Sequence, residues 1–163
     1  TYYAIANDNL LFRDFSFDVE KQWTKKFKTV LLYSLQQYNE SYGAEADYMT
    51  QNIVVADLLY KWTPTFSTKL ELQYLQTKQD KKDWMAALLE VNFAPHWSIY
   101  ASDMYNHGDT KVHYYNAGVS YNKSRTRIAL AYGRYKSGFI CSGGVCRKIP
   151  AYTGASVTVT TSF

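Results

Sequence analysis

The fold class predicted by this sequence is an all-β, antiparallel up-and-down transmembrane β-barrel, and three observations predict it. The final stretch alternates: Phe163, Thr161, Val159, Val157 and Ala155 share one parity, while Ser162, Thr160, Thr158, Ser156 and Gly154 share the other. That pattern is a half-buried strand ending on an aromatic residue. Such a strand closes an outer-membrane barrel, with Phe163, Val159 and Val157 as the expected signal for the barrel-assembly machinery; an edge strand of a soluble sheet is the alternative. The same alternation recurs along the chain in strands of about 9–13 residues. These exceed the five or six usual in soluble sheets and match a tilted span of a bilayer. Finally, short turns alternate with longer connections, as in transmembrane barrels with short periplasmic turns and longer outer loops.

The elements follow in order. Residues 1–6 read as a strand stump, broken at Asn7-Asp8-Asn9. In residues 11–23, Phe15, Phe17, Val19 and Trp23 oppose Asp14, Ser16, Asp18, Glu20 and Gln22. After residues 24–26, Phe27, Thr29, Leu31, Tyr33 and Leu35 form the next apolar face, and residues 39–50 are a longer polar connection. Val54, Ala56, Leu58, Tyr60 and Trp62 then oppose Asp57 and Lys61, and residues 63–65 turn the chain. Phe66, Leu70, Leu72 and Tyr74 oppose Lys69, Glu71 and Gln73, followed by a charged loop at 78–82. Met85, Ala87, Leu89, Val91 and Phe93 oppose Glu90 and Asn92; residues 94–96 lead into Trp97, Ile99 and Ala101. The alternation blurs at Asp103 and Met104, where a bulge would shift parity. Tyr115, Ala117, Val119 and Tyr121 follow, then a turn at 122–124 and Ile128, Leu130 and Tyr132. Residues 136–150 read as a long loop before the last strand. The tally is nine strands plus the stump, in one domain over residues 1–163.

Composition agrees with spans made by strands. Hydrophobic residues are 47% and aromatics 17% of the 163 residues, yet mean hydropathy is −0.36. No apolar run is long enough for a transmembrane helix. Aromatics suit both strands and membrane interfaces, and they stand beside the short turns: Trp23, Phe27, Trp62, Phe66, Phe93, Trp97, Tyr121 and Phe163. Cross-strand pairing at soluble hairpin ends is the alternative reading of that girdle. The net charge of +4 comes from short clusters beside turns, not from a continuous basic stripe, so no nucleic-acid partner is expected. Thr1 is not an initiating Met; the expectation is a removed signal or the end of a longer polypeptide.

Charge facing mid-bilayer costs about 2–4 kcal/mol for Lys or Arg. Asp14, Asp18, Glu20, Asp57, Lys61, Lys69, Glu71, Glu90 and Arg127 are therefore expected to face the lumen, either as a water-filled lining or as a network that makes a packed lumen tolerable. Cys141 and Cys146 are the only cysteines. Gly143 and Gly144 let the intervening loop fold tightly, and an extracellular loop would keep a disulfide oxidised. A reduced pair is the alternative; zinc would need two further ligands, and no histidine or other cysteine lies nearby. No metal or cofactor is expected.

The run Cys141-Ser-Gly-Gly-Val-Cys-Arg-Lys-Ile-Pro-Ala151, followed by a glycine and an alternating strand ending Ser-Phe, resembles the C-terminus of a family of uncharacterised Bacteroidota outer-membrane barrels known only by a domain-of-unknown-function label. The match covers roughly residues 138–163. Family members are longer, so the resemblance implies the C-terminal part of a larger barrel with strands upstream of Thr1. It implies a bacterial outer-membrane location and carries no activity.

Three functions compete. The first is a non-enzymatic outer-membrane barrel, either a structural or accessory subunit of an envelope complex or a pore of unknown solute. Its partners would be the lipid bilayer, lipopolysaccharide, the assembly machinery and other envelope proteins. Its C-terminus would be periplasmic and its cysteine loop extracellular. The second is a barrel hydrolase in which an Asp–His pair among Asp103, His107, Asp109 and His113 activates water; these are more ordinarily loop polar groups. The third is a soluble lipocalin-type meander binding a small apolar ligand, with apolar residues inside.

Overall fold

The computed structural model describes residues 2–6, 9–39, 48–78, 82–142 and 145–162, with side chains described for 12–39, 48–78, 82–137 and 150–162. Every regular element among them is a strand. The strands are β1 (Tyr2–Ala6), β2 (Asn9–Gln22), β3 (Phe27–Asn39), β4 (Tyr48–Lys61), β5 (Phe66–Thr77) and β6 (Trp84–Phe93). They continue with β7 (Trp97–Asn106), β8 (His113–Lys123), β9 (Thr126–Tyr135), β10 (Gly138–Ser142), β11 (Val145–Ile149) and β12 (Tyr152–Thr161). No described helix is long and apolar enough to cross a membrane, a statement that does not bear on strands.

Ten strands form one antiparallel sheet in the order β1 to β9 and then β12, while β10 and β11 pair separately. This is the up-and-down all-β meander expected. The sheet is barrel-like but not closed, with β1 and β12 as its two edges. The alternating Val, Ile, Tyr, Phe and Thr residues favour extended backbone because branched and aromatic side chains pack well on a pleated surface. Long spans β2 to β9 pair nearly end to end, so each hairpin's register is carried into the next.

Three expectations are corrected. Pairing runs without a shift through Asp103 and Met104 on both sides of β7, so no bulge changes parity there and Asp103 shares a face with Ile99 and Ala101. The one register shift in β1's pairing falls between Ala4 and Ile5, opposite Phe12 and Leu10. The loop expected at 136–150 instead contains the β10–β11 hairpin, in which Ser142 faces Val145 and Cys141 faces Cys146. The polar connection expected at 39–50 is shorter than its sequence suggested, because β3 runs to Asn39 and β4 starts at Tyr48; residues 40–47 lie outside the described residues.

No second layer of described residues packs on this sheet. Among the described residues, strands contact only their neighbours in the sheet order, or each other in the β10–β11 hairpin. Among the described side chains, Met49 and Trp84 are the buried hydrophobics. A soluble sandwich or helix-covered sheet would bury one whole apolar face.

Candidate functional site

The register sorts the side chains into two chemically opposed faces. Following the pairs from Asp57↔Glu71 through Lys69↔Glu90, Glu90↔Tyr100, Ser98↔Ser120 and Asn122↔Arg127 keeps to one side of the sheet. Glu20↔Val30 and Val30↔Asp57 join β2 to that same side. Asp14, Asp18, Glu20, Asp57, Lys61, Lys69, Glu71, Glu90 and Arg127 all share it, although they come from five strands. The opposite side carries Phe15, Phe17, Val19, Leu31, Val54, Leu72, Leu89, Ile99, Leu130, Val157 and Val159, all exposed. Val157 and Val159 are 67% and 64% exposed, whereas Ser120 on the polar side is 3% exposed. Small polar residues are thus covered by their neighbours while large apolar ones stand uncovered, so the polar side is the sheltered one. Uncovered apolar area on this scale marks a surface meant for lipid or protein.

At the short-turn end the apolar side carries a band of rings. Tyr60 contacts Phe27 and Trp62, Phe66 contacts Trp62 and Phe93, and Trp97 contacts Tyr121, with centroids 4.6–6.4 Å apart. Two of the turns are copies of one another. Trp23-Thr24…Phe27…Thr29 and Trp62-Thr63…Phe66…Thr68 make the same backbone bonds. In both, the indole Nε1 donates to the threonine hydroxyl six residues on, at 3.0 and 3.1 Å. The repeated Trp-Thr-x-x-Phe-x-Thr string was visible in the sequence as spacing, but single-strand alternation does not look across a turn. Phe163, expected in this band and in the assembly signal, lies outside the described residues.

The polar side is knitted by local pairs. Lys69 Nζ lies 3.1 Å from Asp57 and 3.2 Å from Glu71, and the Gln73 amide donates to Glu71. Lys28 pairs with Glu20 at 2.8 Å, Ser34 Oγ donates to Asp14 and Asn92 Nδ2 donates to Glu90. Half-buried carboxylates without such donors would pay for desolvation. Towards the other rim, a cavity of about 280 Å³ is lined by Glu71, Gln73, Ser102, Asn116, Tyr114 and Lys136 among others. Trp84 stacks on Tyr114 with centroids 6.1 Å apart, and Lys136 Nζ lies 4.1 Å over the Trp84 ring.

The residues singled out as a possible water-activating group divide in two. His113 Nδ1 meets Asp103 Oδ2 at 2.7 Å, with Tyr105 stacked on the His113 ring at 4.1 Å. His107 instead approaches Asp83 at 4.0 Å and stacks on Tyr74. Asp109 is exposed, and its backbone N–H donates to Asn106 Oδ1. The Asp103–His113 pair sits on the apolar side at the long-loop end, with side chains 43% and 55% exposed. Asp83 and Tyr74 were not singled out by sequence reasoning; the carboxylate also accepts the Thr77 N–H at 3.0 Å, a contact made across a loop that no periodicity reports. His96 Nδ1 lies 2.8 Å from the Asn122 carbonyl oxygen, bracing one turn against the next. Among the described residues no group of three or more potential ligands is placed to hold a metal. The side chains of Cys141 and Cys146 lie outside the described residues.

A family model described as "Family of unknown function (DUF6029)" matches residues 1–163. No curated protein and no solved structure matches.

Proposed function

We propose that this chain, which belongs to the family of unknown function (DUF6029) over residues 1–163, is part of the wall of a β-barrel in the bacterial outer membrane, with a structural or accessory role in an envelope complex. The single observation that carries this reading is the segregation of faces: nine charged residues from five strands on the sheltered side, and a mainly apolar side, with its charges towards the rims, that no described residue covers. A soluble lipocalin-type meander needs the reverse, with the apolar side sheltered. The unpaired edges β1 and β12 support completion of the barrel by further strands, because open edges in hydrocarbon leave backbone groups unsatisfied. The Bacteroidota outer membrane, with the C-terminus periplasmic and the long connections extracellular, is the finer part of the proposal and rests on the resemblance of residues 138–163 and on turn asymmetry.

A structural role is preferred to a pore because several sheltered charges are tied up in ion pairs, Asp57–Lys69–Glu71 and Glu20–Lys28, instead of standing free to line a channel. It is preferred to hydrolysis because His113 is 55% exposed and is not among the residues that line the cavity Asp103 borders, so the pair is not enclosed together around a substrate. Single-channel recording on the whole protein tests it. Silence is expected; stepwise conductance would replace this reading with a pore.

The proposal includes an extracellular disulfide. Cys141 and Cys146 face each other one pair outward from Ser142 and Val145, which flank two residues. In a two-residue hairpin that next pair is the non-hydrogen-bonded kind, with Cα atoms about 4.5 Å apart, inside the range a disulfide bridges. Mass spectrometry of unreduced peptides is expected to find the pair two hydrogens light; alkylatable thiols in native cells would contradict it.

A further inference from the structure

We propose that the short-turn rim is a binding surface for the headgroups of anionic phospholipids, an inference that rests on the membrane reading above. The turns at this end are tied into a continuous rim by lateral backbone bonds: Lys61 N to Lys26 O, Ala94 N to Thr65 O, Asn122 N to His96 O and Ser162 N to Arg125 O, at 2.7–3.0 Å. The backbone positions that carry their cations are therefore fixed relative to one another. Lys21, Lys25, Lys26, Lys123 and Arg125 are all exposed and lie in the turns or on the apolar side next to them. The acidic residue of this rim, Glu20, is on the sheltered side and already engaged by Lys28. The longer connections at the other end carry both signs, for example Asp80-Lys81-Lys82-Asp83.

The rings mark depth. Trp23, Trp62 and Trp97 are half exposed on the apolar side beside the short turns, the position that indoles take between hydrocarbon and headgroups. Lys21 Nζ lies 3.9 Å over the Trp23 ring, so its ammonium is held at the indole's level. Two clusters of cations, at the 24–26 and 122–125 turns, stand just beyond an aromatic band and face the phosphate layer. Zwitterionic headgroups offer it no net charge, whereas each cation close to an anionic leaflet favours attachment by about fivefold. The geometry thus selects anionic phospholipid on the short-turn side, with lipid A phosphates on the opposite leaflet as the competing source.

Insertion of the whole protein into vesicles tests this, read as the membrane-protected fraction at equal lipid. Three compositions are compared: phosphatidylcholine alone, phosphatidylcholine with phosphatidylglycerol, and phosphatidylcholine with lipid A. Phosphatidylglycerol is expected to raise insertion at least about tenfold at low salt, with the gain falling away near 0.5 M salt. The quadruple variant K25Q/K26Q/K123Q/R125Q should insert into phosphatidylcholine as the parent does and lose the gain. All four sites are exposed, so folding is not at stake, and insertion into phosphatidylcholine checks it directly. Equal insertion with and without phosphatidylglycerol, a gain that survives in the variant, or a gain with lipid A alone would overturn the rim proposal and leave the barrel standing. Failure to enter any of the three vesicles would overturn both.

Discussion

Replacing Leu89 by arginine is expected to destabilise the protein in a bilayer by about 2–4 kcal/mol. Leu89 lies in the middle of β6, is 46% exposed on the apolar side, and is flanked by Leu70 and Ala101 on the neighbouring strands. A guanidinium there has no carboxylate beside it and sits farthest from either interface, so it must drag water or headgroups to mid-bilayer. Gln73→Arg is the control. It lies on the polar side, where the side chain already donates to Glu71, and an arginine keeps a charge-assisted bond to that carboxylate. The expected change is within about 0.5 kcal/mol. Urea unfolding from lipid vesicles measures both. If Leu89→Arg costs no more than Gln73→Arg, the apolar side does not face hydrocarbon.

The second large effect is expected at Gly133. A Cβ there would stand 2.4 Å from the Asn116 Cβ and 2.5 Å from the Tyr115 carbonyl oxygen. Both obstacles belong to β8 at the point where its ladder with β9 begins, Asn116↔Gly133, so relief requires the strands to part. Gly133→Val is expected to cost about 3 kcal/mol or more and to deplete the heat-modifiable folded band on a gel. Gly118→Ala should cost less. Its nearest obstacle is the Tyr100 ring at 2.6 Å, a side chain that can rotate, although the Leu130 carbonyl oxygen at 2.8 Å limits the relief. Wild-type folding of Gly133→Val would contradict this account of the β8–β9 approach.

Alternation made the long strands legible because a period of two, sustained over ten or more residues, is hard to satisfy by any other structure. It also placed the nine charged residues on one parity of each strand before the register joined those parities into one face. It failed at Asp103, where a polar residue on the apolar parity looks like a shift of register. Near a rim, water and a histidine partner make that residue tolerable, as the 2.7 Å contact to His113 shows, and no single strand's pattern contains that partner. The β10–β11 hairpin was hidden because five-residue strands give too few repeats to count, although two glycines between flanking residues are a hairpin signal. The close approaches at Gly118 and Gly133 depend on which residues stand across the ladder, which one strand's sequence does not state. The repeated Trp-Thr-x-x-Phe-x-Thr turn was legible in principle and needed only a comparison of one turn with another.

The claim on which the rest depends is that one side of the sheet meets hydrocarbon. Single fluorophores attached at Phe17, Leu58, Leu89 and Leu130, and in parallel at Asp57, Glu90 and Ser120, in the membrane-inserted protein with a lipid-soluble quencher address it most directly. The account predicts strong quenching at the first set and little at the second. Quenching at Asp57 and Glu90 with Leu58 and Leu89 protected, or equal quenching of both sets, would contradict it.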